Sequence, residues 1–253
     1  MANCRFLAIA LLVGAMFATG TIGGARAQQS IGSTAAAQNQ VSRELAGASG
    51  PLTVGDSVYR NEVVKTGVDS TAKLVFLDST NLAVGPTSRI VLDRFVYEGD
   101  PNAEKVVVGL AKGVFRFTTG NLDKKAYTIT TPTAAIGVRG TVLDIAVRST
   151  DTRVTLVEGL ALVCPRKAIG FDQQARKCAA AIGGTGKGKG RCDCAILDHP
   201  GQTATARRVG GTTQASLTST PVNFASLCSG DSSLCSGDSY ASGYGAGGTL
   251  CGR

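Results

Sequence analysis

The spacing of apolar runs and chain-reversing residues between Leu52 and Val163 constrains this sequence most. Apolar residues come in runs of four to eight, split at Asp78-Ser79, Gly85-Pro86, Gly99-Asp100-Pro101, Thr119-Gly120-Asn121 and Thr131-Pro132. Short runs with turn signals every 8 to 12 residues are the pattern of an all-β domain. No stretch sustains a 3.6-residue period long enough for a packed helix. The clearest part is Thr131 to Leu162, TPTAAIGVRGTVLDIAVRSTDTRVTLVEGLAL. A Pro/Gly-punctuated turn region there leads into a strand with Leu143, Ile145 and Val147 on one face and Asp144 and Arg148 on the other. A polar turn over Ser149–Arg153 follows, then the runs Val154–Val157 and Leu160–Val163, separated by Glu158-Gly159.

Two all-β architectures fit, a short-strand β-solenoid and a sandwich. Lys73–Leu77 and Val106–Val108 are apolar on both faces, whereas a two-sheet stack with wet outer surfaces gives cleaner alternation. The blocks Thr66–Leu92 and Thr119–Leu162 then read as successive coils of a solenoid, which is the favoured expectation, although the sequence does not repeat.

The segment resembles the FecR domain family, whose members carry a T-P-x-A-x-x-G-V-R-G-T block ahead of a strand and a V-x-E-G step. Here these are Thr131, Pro132, Ala134, Gly137, Val138, Arg139, Gly140 and Thr141, then Val157, Glu158 and Gly159. Upstream, Val54-Gly55-Asp56, Val64–Gly67 and Ser70–Gly85 (STAKLVFLDSTNLAVG) resemble the family's S-x-A-x-L-x-F-x-D-x-T-x-L-x-V-G pattern, continued by Pro86, Ser88, Ile90 and Leu92. The resemblance covers roughly residues 52–164. The family's name-giving members are inner-membrane regulators that relay a signal from an outer-membrane transporter to a sigma factor. They join a cytoplasmic anti-sigma segment and one membrane helix to a periplasmic FecR domain.

The amino end reads as an export signal. Arg5 supplies positive charge, Phe6–Phe17 is apolar, Ala25-Arg26-Ala27 has the small-x-small cleavage pattern, and no acid precedes Glu44. Cleavage after Ala27 is expected, giving a periplasmic or secreted protein with no stable membrane span. The alternative is an uncleaved anchor, since Phe6–Ala25 spans 20 residues. With 50 residues ahead of the domain, an anti-sigma segment is not expected.

Residues 28–51 are rich in Gln, Ala, Ser and Gly and read as a flexible lead-in, with a short helix over Ala35–Ala46 as an alternative. Residues 165–253 read as a Cys/Gly-rich basic tail, largely irregular. The sequence has pI 9.2, but residues 51–164 hold 13 Lys+Arg against 12 Asp+Glu while residues 165–253 hold 10 against 5. The basic excess therefore belongs to the tail. In an exported chain it suits anionic envelope polymers rather than nucleic acid.

Cys164, Cys178, Cys192, Cys194, Cys228, Cys235 and Cys251 are read as disulfide candidates, an odd set that leaves one unpaired, shared between chains or capped. Cys164–Cys178 is the expected bridge, with Cys192 and Cys194 bonded to more distant partners. Zinc is not expected, because Cys192-Asp193-Cys194 is too tightly spaced and His199 is the sole histidine. The Gly183–Arg191 run fails the phosphate-loop pattern at Gly190, and the Leu227–Ser232 and Leu234–Ser239 repeat offers too few oxygens for calcium. No cofactor is implied. Asp56, Asp69, Asp78, Asp93, Asp144 and Glu158 fall at turns or on alternating strands, so an enzyme is not expected.

Arg139, between Gly137 and Gly140, is the candidate binding residue: a cation in a glycine-flanked turn whose amides can face an anion. The structural alternative pairs Arg139 with Asp144 or Glu158. The expectation is a non-enzymatic FecR-domain binding module of the envelope, partnered by a protein or an anionic polymer, or alternatively an anchored sensor. The strand pattern closes by Val163, so the domain is expected to fold without residues 171–253.

Overall fold

The structure is a computed structural model; it describes residues 30–95, 106–121, 127–166, 193–224 and 226, with only the backbone of 93–95, 106 and 139. The expected export signal, the 183–191 glycine run, the 227–239 repeat and five of the seven disulfide-candidate cysteines lie outside the described residues.

Fifteen strands form one connected sheet. They are β1 (Ser30–Gln38), β2 (Val41–Leu45), β3 (Ala48–Pro51), β4 (Ser57–Tyr59), β5 (Val63–Thr66), β6 (Thr71–Phe76), β7 (Asn81–Val84) and β8 (Arg89–Phe95). Next come β9 (Val106–Thr118), β10 (Tyr127–Thr130), β11 (Ala134–Val147), β12 (Asp151–Pro165), β13 (Ala195–Leu197), β14 (Thr203–Val209) and β15 (Thr212–Thr218). All pairings are antiparallel except β9 with β10.

The long strands β9, β11 and β12 each change partners midway, which divides the sheet into two wings. In the first wing, the amino half of β9 lies between β8 and β10, and the amino half of β11 lies between β10 and the carboxyl half of β12. In the second, the carboxyl half of β9 lies between β7 and β11, and the amino half of β12 lies between β11 and β14. Strands that switch between packed sheets do so through bulges or bends, and the burial pattern locates the bends here. Along β9 the buried residues are Val108 and Leu110, then Phe115 and Phe117. Along β11 they are Ala134, Ile136 and Val138, then Thr141, Leu143, Ile145 and Val147. Along β12 they are Val154 and Leu156, then Ala161 and Val163. Each series changes parity, and a one-residue slip turns the opposite set of side chains inward. The slips fall at Gly113, Gly140 and Gly159, all with positive φ.

One apolar core lies within the wings, including Leu74, Leu82, Ile90, Phe115, Phe117, Ile129, Ile136, Leu143 and Leu156. Fully burying each such side chain stabilises the fold by about 1.5–3 kcal/mol. The all-β reading holds. The coils expected of a solenoid are absent, because Thr66–Leu92 and Thr119–Leu162 lie in antiparallel ladders, the parallel β9–β10 pair apart.

Two boundaries differ from those the sequence suggested. The supposed flexible lead-in forms β1, β2 and β3, with no helix over Ala35–Ala46. β1 fits between β4 and β6, and a Cβ on Gly32 would stand 2.4 Å from the Val75 carbonyl oxygen, so its small residues allow close approach rather than flexibility. The supposed irregular tail supplies β13, β14 and β15 and buries Leu197, Ala204, Ala206 and Phe224. The expectation that the domain closes by Val163 is therefore corrected: β12 pairs with β13 and β14, which lie beyond it.

Candidate functional site

The Thr131–Thr141 block is frame rather than turn. Only Thr131–Thr133 reverses the chain, and β11 then runs unbroken through the glycines. The hydroxyls of Thr131 and Thr133 each lie 2.8 Å from that of buried Thr152, and Thr131 Oγ1 also accepts the Ala134 amide at 2.8 Å. At the corner, Arg139 pairs with Leu160 and Val142 with Glu158. Gly140 and Thr141 thus oppose Gly159 alone, a two-against-one bulge with glycine in the left-handed conformation. The Thr141 hydroxyl donates to Leu160 O at 2.9 Å and its amide to Thr119 Oγ1 at 2.8 Å. A Cβ on Gly159 would lie 2.0 Å from the Gly140 carbonyl oxygen, whereas Gly140 itself has open space around it.

These positions place the candidate binding residues. Gly137 sits in mid-strand, opposite Thr128 and Leu162. Gly140 is exposed at the bulge. The Arg139 side chain lies outside the described residues. Asp144, the carboxylate proposed to pair with it, is held by another arginine.

That arginine is Arg116, whose Nε and Nη2 donate to the two Asp144 oxygens at 2.7 and 2.9 Å. Asp144 was read as an outward residue, and it does lie opposite Leu143 and Ile145. It is nonetheless buried, because residues 222–224 return across that face. The Phe224 amide donates to Asp144 Oδ2 at 2.9 Å, the Phe224 ring lies 5.7 Å from the Arg116 guanidinium carbon, and the Val222 amide donates to Thr155 Oγ1 at 2.7 Å. Nothing in the 222–224 sequence announced this strap.

Other acids of the domain are also bonded internally. Asp78 accepts the Tyr127 hydroxyl and the Thr80 hydroxyl, each at 2.6 Å, joining the β6–β7 turn to β10. Glu62 accepts the Tyr59 amide at 2.7 Å and Arg43 Nη2 at 2.9 Å through Oε2, while its buried Oε1 has no partner among the described residues. Burial pushes the Glu62 carboxyl above the ordinary glutamate range, outweighing the Tyr59 and Arg43 hydrogen bonds that act the other way. The exposed acids shift oppositely: Lys65 lowers Glu44, and the Thr53 amide and hydroxyl lower Asp56. His199 is exposed beside Asp198, with Nδ1 2.7 Å from Oδ1. Among the described residues no three His, Cys, Asp or Glu side chains are grouped to hold a metal, and no helix is long and apolar enough to cross a membrane.

Cys164 bonds to Cys194 across a separation of 30 residues. This corrects the expected Cys164–Cys178 bridge. The antiparallel pairing of Ala161–Val163 with Ala195–Leu197 carries Cys194 back beside Cys164, so the strand register selects the partner rather than proximity along the chain. Cys178, Cys192, Cys228, Cys235 and Cys251 lie outside the described residues.

At the far end of the second wing, β14 and β15 form a hairpin closed by Gly210 and Gly211, both at positive φ. Sequence reading missed it, although TATARRV-GG-TTQASLT carries the two-residue hairpin signal. β15 pairs with β14 alone, so among the described residues it is an open edge. Arg207 and Arg208 are exposed near its tip, and Leu217 is 59% exposed.

The architecture is an all-β frame of two wings joined through glycine corners, with its motif residues at the joints. Residues 62–162 match the family model described as FecR protein, so the chain carries a FecR-family domain over that stretch. No curated protein matches the sequence. Two crystal structures of a candidate anti-sigma factor from Parabacteroides distasonis ATCC 8503, at 1.65 and 2.50 Å, are similar at 11% and 10% identity. Each has a TM-score of 0.41 and covers 61% of this chain and 59% of that one. The chain thus spans less than two thirds of the solved structures it matches.

Proposed function

We propose that this protein is a non-enzymatic binding module of the cell envelope with a role related to signal transduction, exported by cleavage after Ala27. The observation that carries the reading is where the family's motif residues stand. Asp78, Thr80, Thr131, Gly140, Thr141 and Gly159 serve turns and corners, which leaves outer edges and surfaces for recognition. The partner is an envelope protein. Its test is affinity capture by the full chain from envelope extract after covalent cross-linking: a specific protein is expected. Recovery of anionic polymer alone, or hydrolytic turnover by the purified chain, overturns it.

The apolar stretch Phe6–Ala25 favours a second reading, an anchored sensor with the domain outside the membrane. Mass spectrometry of the mature amino terminus separates the two. A start at Gln28 is expected for the exported module, and a retained Met1 supports the anchored sensor.

A further inference from the structure

The open edge of β15 has a definite chemical character. Val209 pairs with Thr212 around the Gly-Gly turn, and the Arg208 amide donates away from β15, to Thr150 O at 3.1 Å. Antiparallel ladders alternate residues that bond one neighbour with residues that bond the other. Thr212, Gln214, Ser216 and Thr218 therefore bond back to β14, while Thr213, Ala215 and Leu217 turn their backbone N–H and C=O groups outward. The strand has no charge, no proline and no bulge, so it lacks the usual protections of an edge. Leu217 and Ala215 lie opposite buried Ala204 and Ala206, so the core-side face continues to the edge and stops there uncovered.

Charge distinguishes one end of this edge from the other. Thr213 lies opposite Arg208 on the core-side face, and Gln214 lies opposite Arg207 on the outer face. Both arginines are exposed, without an ion pair among the described residues. Arg148, in the β11–β12 turn, and Arg153, on β12, stand nearby, where Asp151 is the carboxylate they approach, at 3.9 and 3.7 Å. The hairpin tip is positive, and the Leu217 end is apolar.

We infer that β15 is a docking edge for an extended segment of a partner protein, added antiparallel, with apolar side chains opposite Leu217 and Ala215 and carboxylates opposite Gln214 and Thr213. This rests on the binding-module reading and names the partner's chemistry. Strand addition supplies affinity through the backbone and specificity through alternate side chains. The added strand lies two strand spacings from β14, about 10 Å, within the combined reach of arginine and glutamate side chains. A second copy fits less well, because β15 carries no acid to meet Arg207 and Arg208.

The test titrates the full, disulfide-bonded chain with acetyl-Thr-Val-Thr-Val-Glu-Glu-Thr-amide, followed by amide NMR shifts. Binding is expected to move the Thr213, Ala215 and Leu217 amides, to weaken with salt, and to fall about tenfold when both glutamates become glutamine. Ala215→Pro removes one outward N–H without touching the β14 ladder and should abolish binding. The R207E/R208E pair should reverse the preference toward a peptide with lysine in place of glutamate. Equal affinity for the glutamate and glutamine peptides overturns the acidic partner and leaves the binding-module reading standing. No binding by either, or binding indifferent to Ala215→Pro and to the charge reversal, overturns the edge itself. A dimer dissolved by Ala215→Pro assigns the edge to a second copy and likewise overturns the inference.

Discussion

Replacing each of the two corner glycines by alanine separates two physical effects that share one motif. Gly140 has φ 59° and no atom near the position of an added Cβ, so Gly140→Ala pays only for a left-handed backbone, about 1 kcal/mol. Gly159 has φ 89°, and its Cβ would stand 2.0 Å from the Gly140 carbonyl oxygen and 2.9 Å from Thr141 Cα. Both contacts are backbone, so no side chain can turn aside. β11 and β12 must separate by an ångström or so, on the order of the overlap. That loosens the Thr141 hydroxyl bond to Leu160 O and the adjoining ladder bonds, each contributing about 1 kcal/mol. Added to the conformational term, the cost of Gly159→Ala is about 3–4 kcal/mol, a large part of a typical domain's stability. Urea unfolding followed by far-ultraviolet circular dichroism measures both variants. Losses within about 0.5 kcal/mol of each other, below the resolution of separate mechanisms, refute the steric reading of the corner.

Four further outcomes are expected. Asp144→Ala removes the buried carboxylate that the partly buried Arg116 and the Phe224 amide share and should cost about 3 kcal/mol in the same assay. Non-reducing peptide mapping should recover a Cys164–Cys194 linkage, and Cys194→Ser should lower stability by about 3–4 kcal/mol in the chain-entropy model. A fragment ending at residue 170 should fail to melt cooperatively by circular dichroism, since it lacks β13, β14, β15 and Phe224. For Glu62 the folded carboxyl titrates above its unfolded value, so its contribution is fully present below pH 4.5 and lost as pH rises through the raised folded value. Subtracting the stability profile of Glu62→Gln from that of the wild type should show that direction, opposite to the loss on acidification expected from Glu44 and Asp56.

The all-β class was legible because turn residues punctuate short apolar runs, and Leu143, Ile145 and Val147 do face the core. The corners were visible only as interruptions. Glu158-Gly159 reads as the end of a strand, and only pairing with β11 shows that the strand continues through a parity change. Lys73–Leu77, apolar at successive positions, suggested coils, yet β6 alternates in the ordinary way, with Leu74 and Phe76 buried and Leu77 exposed. Asp144 was placed on the correct face, but its burial depends on residue 224, 80 positions away. Small residues in β1 and polar ones in β15 misled because composition reports flexibility and close packing in the same letters. At the candidate site, the motif identified the family but not the surface, since the residues that carry the resemblance hold the frame together.

The placement of the last strands affects how this chain acquires its structure during synthesis. β14, β15 and the 222–224 strap emerge after every strand they cover, and β1, the earliest, must wait for β4 and β6. Such distant pairings fold slowly, because loop-closure entropy is lost before contacts return it. Until residue 224 arrives, Arg116 and Asp144 remain hydrated and the outer side of β11 stays open. The nascent domain is thus held short of its compact state by its own order of assembly, because the last contact on the outer side of β11 waits for residue 224.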